Sequence, residues 1–268
     1  MTFQLGPALL FCPADRPERY EKAAARADEV ILDLEDAVAP GAKADARIAL
    51  LKHPLDPERT IVRVNPVGTA DFALDLAALE ATDYRFVIAA KAETATEMAA
   101  LSSYRVVALC ETAAGIQAAG LLAAAPNVVA LMWGAEDLIA SLGGSSSRFA
   151  DGRYRDVARH ARSTVLLAAG SRGKAAIDSV YLDIPDTAGL ALEAEDAVAS
   201  GFRATACIHP SQVDVIRTAY RPTADAVAQA RALLAAAVGE RGVFQFEGRM
   251  IDGPVLRHAE AVLRRAGG

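Results

Sequence analysis

The chain has 268 residues, enough for one large domain or a core domain with an appendage, and 53% of it is apolar. Its formal net charge is −6, with acid and base interspersed, which argues against nucleic acid as a partner. No basic segment leads into a long apolar stretch at the N-terminus, so neither a signal peptide nor a membrane span is expected; Cys12, Cys110 and Cys207 sit singly in apolar runs, as buried thiols of a cytoplasmic protein do.

The first β-like run is "ALLFC" (8–12). A helical stretch from Arg16 to Ala27 follows, opened by Asp15 and Glu18 in a D-x-x-E cap. Next come "EVILDL" (29–34), "TIVRV" (60–64), "RFVIAA" (85–90), "RVVALC" (105–110) and "NVVALMW" (127–133). Most are near-continuously apolar, the pattern of strands buried on both faces of a parallel sheet. "LGGSSSRF" (142–149) lacks the spacing and lysine of a phosphate loop and reads as a mobile loop over a barrel mouth, with Trp133 in the core. A helix from Arg153 to Ala169 places Val157, Ala161 and Val165 on one side, and "IDSVYLDI" (177–184) and "ATACI" (204–208) complete the strands. Eight strand–helix units predict an α/β fold, a (β/α)8 TIM barrel, over residues 1–222. A doubly wound open sheet would carry a Gly-rich turn after its first strand, and "CPADRPERY" has none.

Residues 223–268 exceed what eight units need. A helix over 223–240, a Gly-punctuated, hinge-like stretch over 241–254 and a helix from Pro254 form a C-terminal helical extension, read as a lid or an exchanged arm.

In an α/β barrel the C-terminal strand ends face the active site. Those ends carry Asp15 and Arg16; Asp33, Glu35 and Asp36; Arg63 and Asn65; Lys91 and Glu93; Glu111; Glu136 and Asp137; Asp183 and Asp186; and His209. Asp15, Asp183 and Asp186 read as helix N-caps, His209 as a helix-start residue and Lys91 as a cationic partner of the acids. Oxygen ligands without imidazole or thiolate favour Mg2+ or Mn2+ over zinc. Arg63 beside such an ion suits a substrate with a carboxylate and a chelating oxygen. From residues alone the expected chemistry is a metal-assisted lyase or aldolase acting on a small keto or hydroxy acid.

"FCPADRPERYEKA", "VILDLEDAVAPGAK", "VRVN", "ALCETAAGI", "MWGAEDL", "IHPSQ" and "FEGRMIDGPVLRHAE" together resemble, in order and over nearly the whole chain, the citrate lyase β-subunit family of the HpcH/HpaI aldolase superfamily, in particular its short stand-alone actinobacterial members. The resemblance implies a Mg2+-dependent carbon–carbon lyase, usually trimeric. Such an enzyme cleaves, or forms, a 3-hydroxyacyl thioester to give an acetyl thioester and a 2-keto acid such as oxaloacetate or pyruvate. It implies Glu111 and Asp137 as metal ligands and Arg63 as the binder of the keto-acid carboxylate. Glu35 and Asp36 match acids that hold water on the ion, Arg16 and Lys22 match positions that meet the phosphates of coenzyme A, and Asp252 matches an acid supplied across a subunit boundary. The backbone N–H groups near Gly134 and Ala135 are added as donors to the substrate anion. Citryl, citramalyl, malyl and 3-hydroxy-3-methylglutaryl thioesters all remain open, as do an acyl-carrier-protein thioester in a multisubunit citrate lyase and a thioester-free pyruvate aldolase.

Overall fold

Apolar runs of four to six residues make the strands, and alanine-rich segments between them make the helices, in the computed structural model, which describes residues 6–240 and 242–267. The strands are β1 (Ala8–Pro13), β2 (Glu29–Asp33), β3 (Thr60–Val64), β4 (Phe86–Ala89), β5 (Arg105–Cys110), β6 (Val128–Trp133), β7 (Ala175–Asp178) and β8 (Ala204–Cys207). They run parallel in sequence order, and β8 pairs with β1 to close the barrel. Alternate side chains, among them Leu9, Ile31, Ile61, Ile88, Leu109 and Met132, fill the interior as a packed core. Trp133 is fully buried, as expected, and its Nε1 donates to Asp178 Oδ1 at 2.6 Å.

The helices that follow the barrel strands are α1 (Tyr20–Arg26), α2 (Lys43–Lys52), α3 (Ala70–Leu79), α4 (Ala95–Ala100), α5 (Ala113–Ala124), α6 (Ala135–Ser141), α7 (Asp156–Gly170), α8 (Thr187–Ser200) and α9 (Pro210–Tyr220). Hydroxyl and carboxylate caps start several of them. Thr69, Thr112 and Asp186 each accept from a backbone N–H of the first turn, and Thr94 with Glu97 forms a full capping box.

The chain forms two compact units, Met1–Ile216 and Arg217–Gly268. The second contains α10 (Ala224–Ala236), a hairpin of β9 (Phe244–Phe246) and β10 (Arg249–Ile251), and α11 (Gly253–Arg265). Its core joins Leu233, Ile251 and Ala259 with Phe244 and Phe246.

Several expectations need correction. The seventh strand is Ala175–Asp178, not 177–184. Val180, Tyr181 and Leu182 have strand-like side chains but belong to the loop beyond it, where Val180 and Leu182 line a cavity. Asp15 caps nothing, because a 3-10 turn at Pro17–Arg19 precedes α1 and has no side-chain cap. Asp186 does cap α8, whereas Asp183 offers only its backbone carbonyl to the Asp186 N–H. The buried face of α7 runs through Ala158, Ala161, Val165 and Ala169, and Val157 is exposed. The 142–149 loop is tied down: Ser147 donates to Glu136 at 2.5 Å, and Arg148 pairs with Glu193 at 2.8 Å while stacking on Tyr154. Within the stretch expected to be hinge-like, residue 241 lies outside the described residues and residues 244–251 form a hairpin. Glu247 (φ 47) and Gly248 (φ 76) both adopt the left-handed conformation that a two-residue hairpin turn needs.

Below the mouth, Asp75 accepts from Arg47 Nε at 2.7 Å and from the N and Nδ2 of Asn65 at 2.9 and 2.7 Å. It is completely buried, so it links α3 to the end of β3 through bonds that water cannot replace. Asp75→Ala should lower the unfolding free energy by about 2 kcal/mol, because Arg47 Nε and the Asn65 backbone N–H lose their buried acceptor while Arg47 keeps its bond to Asp71. Urea denaturation measures this, and a loss under ~1 kcal/mol would show that the network contributes little.

Candidate active site

Asp33 and Arg63 stand opposite each other in the register of β2 and β3. Arg63 donates two bonds to Asp33, Nε to Oδ1 at 2.7 Å and Nη2 to Oδ2 at 2.6 Å. The fully buried Asp33 also accepts from the N–H groups of Glu35 and Ala37, which shapes the turn after β2. This explains the acid at the end of a core strand: it anchors the cation of the next strand and the loop above it. The Arg63 guanidinium lies over the Phe11 ring, 4.9 Å from its centroid. Asp33 stands among the expected strand-end acids but without a role; the signal for that role is its position beside an arginine at the matching position of the next strand.

The turn delivers Glu35 and Asp36 to Lys91. Glu35 lies 3.2 Å from Arg63 Nη1 and in contact with the Lys91 ammonium, which also reaches Asp36 at 3.2 Å and Asp137 at 3.8 Å. Lys91 is thus the cationic partner expected of it. Burial opposes ionisation of Asp36, but the bond and charge of Lys91 outweigh it and hold the carboxyl below its ordinary range.

Glu111 follows β5 and is buried. Its Oε1 accepts from the Lys91 backbone N–H at 3.0 Å. Burial, and then the Asp137 charge, push its carboxyl up to about 8. Gly134 follows β6, where a Cβ would come within 2.9 Å of Glu111 Cβ and Oε2. Glycine at 134 therefore makes room for the Glu111 carboxylate. The Gly134 and Ala135 amides, expected as donors to the substrate anion, make long bonds to Cys110 O and Ser179 Oγ, each at 3.4 Å. Ser179 was missed because the seventh strand ends earlier than its sequence suggests.

Arg63, Glu111, Gly134, Ala135 and Asp137 line one cavity of about 230 Å3, together with Asp33 and Asp36. Phe11, Leu109, Met132, Val180 and Leu182 supply its apolar side. Arg16 and Lys22 are exposed and do not line it; Arg16 sits 3.6 Å from Asp15. Asp252, in the second unit, caps α11 by accepting from Val255 N at 3.3 Å. His209 precedes α9, and its Nδ1 accepts from Ser211 N at 3.2 Å, a helix-start role.

Residues 8–210 match the family described as HpcH/HpaI aldolase/citrate lyase. The chain belongs to this family. A citrate lyase subunit beta-like protein of Mycobacterium tuberculosis is 61% identical over 262 residues, covering 98% of this chain and 96% of the relative. The crystal structure of the protein CitE from Mycobacterium tuberculosis, in complex with magnesium, acetoacetate and coenzyme A, superimposes with a TM-score of 0.95 at 60% identity, covering 99% of this chain and 100% of that one. The mitochondrial citramalyl-CoA lyase of Homo sapiens is 29% identical over 287 residues, 94% of this chain and 83% of the relative.

The donor set fits Mg2+, with Mn2+ as a substitute. Among the described residues no three His, Cys, Asp or Glu side chains are arranged around one point, so a site that wraps an ion in protein ligands is not formed. Mg2+ typically takes one or two carboxylates and keeps its waters, and Glu111 with Asp137, which line the same cavity, could supply such a pair. A buried carboxyl pushed up by a like-charged neighbour is one that a dication would ionise.

Between the ordinary carboxylate range and about 8, the folded chain holds a proton on Glu111 that the unfolded chain has lost. The metal-free fold therefore loses stability as pH rises through that window, while ion binding, which needs the carboxylate, strengthens. Calorimetry should show Mg2+ affinity rising roughly tenfold between about pH 6.5 and about pH 8.5. Glu111→Gln should abolish the binding; a flat profile in the unmodified protein would place the titrating proton elsewhere.

Proposed function

We propose that this chain is a Mg2+-dependent carbon–carbon lyase that cleaves, or in reverse forms, a 3-hydroxyacyl-CoA thioester, giving acetyl-CoA and a keto acid. The observation that carries the reading is the Glu111–Asp137 carboxylate pair beside Arg63 at the C-terminal end of the barrel strands. The family and the complexes of its relatives agree with it. Acetoacetate, bound in the relative, is a 3-keto acid and the fragment that a 3-hydroxy-3-methylglutaryl thioester would release. A 3-keto acid therefore joins the 2-keto acids expected from sequence as a candidate product.

Bound at Glu111 and Asp137, Mg2+ supplies a Lewis acid that eases loss of the substrate hydroxyl proton. Arg63 orients the substrate carboxylate through Nη1, where the substrate takes the place of the Glu35 carboxylate now 3.2 Å away, and the Asp33 pair keeps the guanidinium in plane. The hydroxyl gives its proton to a water molecule at the mouth, its carbon becomes the keto carbonyl, and the electrons of the broken carbon–carbon bond pass to the thioester as an enolate. Asp252 of a neighbouring subunit protonates the enolate carbon, completing acetyl-CoA. Glu35 and Asp36 act through Lys91, which they hold over the mouth. The apolar wall of Phe11, Met132 and Val180 excludes water from the enolate. Arg16 and Lys22, exposed on the segment after β1, meet the coenzyme A phosphates.

The working assembly in this reading is a homotrimer in the cytoplasm, with residues 223–268 as an arm or lid over a partner's barrel. No helix among the described residues is long and apolar enough to cross a membrane.

A panel of hydroxyacyl-CoA thioesters with Mg2+ should release free keto acid from at least one member. Arg63→Lys keeps the charge but loses the planar fork, and should lower kcat/KM on that substrate at least about tenfold. Near-native kinetics would remove Arg63 from the carboxylate-binding role, and no turnover of any thioester, with turnover of pyruvate and an aldehyde, would overturn the lyase reading.

The exchanged arm has its own measurement. Asp252→Ala and Glu111→Ala chains, each inactive alone, should regain part of the activity once their subunits exchange, because some mixed sites hold both intact residues. A verified mixed oligomer that stays inactive would show that the arm serves its own barrel or none.

A further inference from the structure

Lys91 touches both carboxylates assigned to the ion. Its backbone N–H donates to Glu111 at 3.0 Å, and its ammonium lies 3.8 Å from Asp137. The backbone that allows this is left-handed, at φ 50, a conformation that side chains with a Cβ rarely adopt. A non-glycine residue held there points to a function for the side chain. That side chain ends among acids: besides Asp137 it contacts Glu35 and Asp36, while the other cation of the mouth, Arg63, is committed to Asp33 and Glu35. An ammonium and a dication drawn to the same carboxylate repel each other at a range where solvent screening is weak.

We propose that Lys91 is a positioning residue that acts as a built-in counter-ion, competing with Mg2+ for Asp137 and keeping the affinity for the ion below what the carboxylates alone would give. The inference rests on the reading that Glu111 and Asp137 hold Mg2+. In the metal-free protein the ammonium balances the acids and keeps them together. When the ion binds, the ammonium withdraws from Asp137 toward Glu35 and Asp36, which retain it. A purely structural counter-ion would behave differently: its removal would leave Mg2+ affinity unchanged or weaken it, because the acids would spread apart.

The test is calorimetric titration of the full chain with MgCl2. Lys91→Met and Lys91→Gln keep a side chain at this position and lose the charge, and should bind Mg2+ at least about tenfold more tightly than the unmodified protein. Asp137→Asn should bind it far more weakly. Unchanged or weaker affinity in both Lys91 variants, with binding lost in Asp137→Asn, overturns the competition alone. Native affinity in Asp137→Asn overturns the metal assignment and the competition with it. The unmodified protein provides a readout that no misfolded variant can obscure. Reductive methylation of Lys91, followed by mass spectrometry, should speed up at least threefold when Mg2+ is added, as the amine leaves Asp137. An unchanged rate overturns the proposal.

Discussion

A guanidinium and a carboxylate withdrawn from water together organise the top of this barrel. Neither Arg63 nor Asp33 is tolerable there alone, since an unpaired buried charge costs several kcal/mol. Their two-pronged bond joins β2 to β3 where both strands end, and Asp33 also accepts from the N–H groups of Glu35 and Ala37. That fixes the direction of the following loop, which carries Glu35 to Lys91. Lys91 in turn meets Glu111 by its backbone and Asp137 by its side chain. Four neighbouring strand ends, from β2 to β5, and the start of α6 are therefore linked through one continuous set of charges.

The same arrangement divides the cavity chemically. One side presents carboxylates and a cation, and the other presents Phe11, Leu109, Met132 and Val180. A polar head that chelates an ion and an apolar or thioester portion suit the two sides. The barrel core beneath is packed, so the site has a rigid floor, and the loop beyond β7 adds Leu182 to its wall. Gly134 shows how local the constraint is: one methyl group there would collide with the Glu111 carboxylate.

Much of this was legible along the chain. Near-continuous apolar runs and capped helices announced a parallel barrel, since strands buried on both faces need apolar residues at every position. The acids and Arg63 were recognisable because charge at the end of such a strand requires a purpose. The seventh strand was misplaced because "SVYLDI" has strand-like composition for another reason, with Val180 and Leu182 forming a cavity wall. The hairpin at Glu247–Gly248 was read as a hinge, since its strands are only three residues long and carry no clear alternation.

The sequence by itself determined the fold class, the order of the strands and the set of charged residues at their C-terminal ends, because hydrophobic periodicity and strand order are local properties of the chain. Only the tertiary structure decided who pairs with whom: that Asp33 takes Arg63, that Lys91 bends into a left-handed conformation to reach Glu111 and Asp137, and that the amides of Gly134 and Ala135 make long bonds to Cys110 and Ser179. Those choices depend on distances between residues tens of positions apart, and closure of the barrel sets those distances.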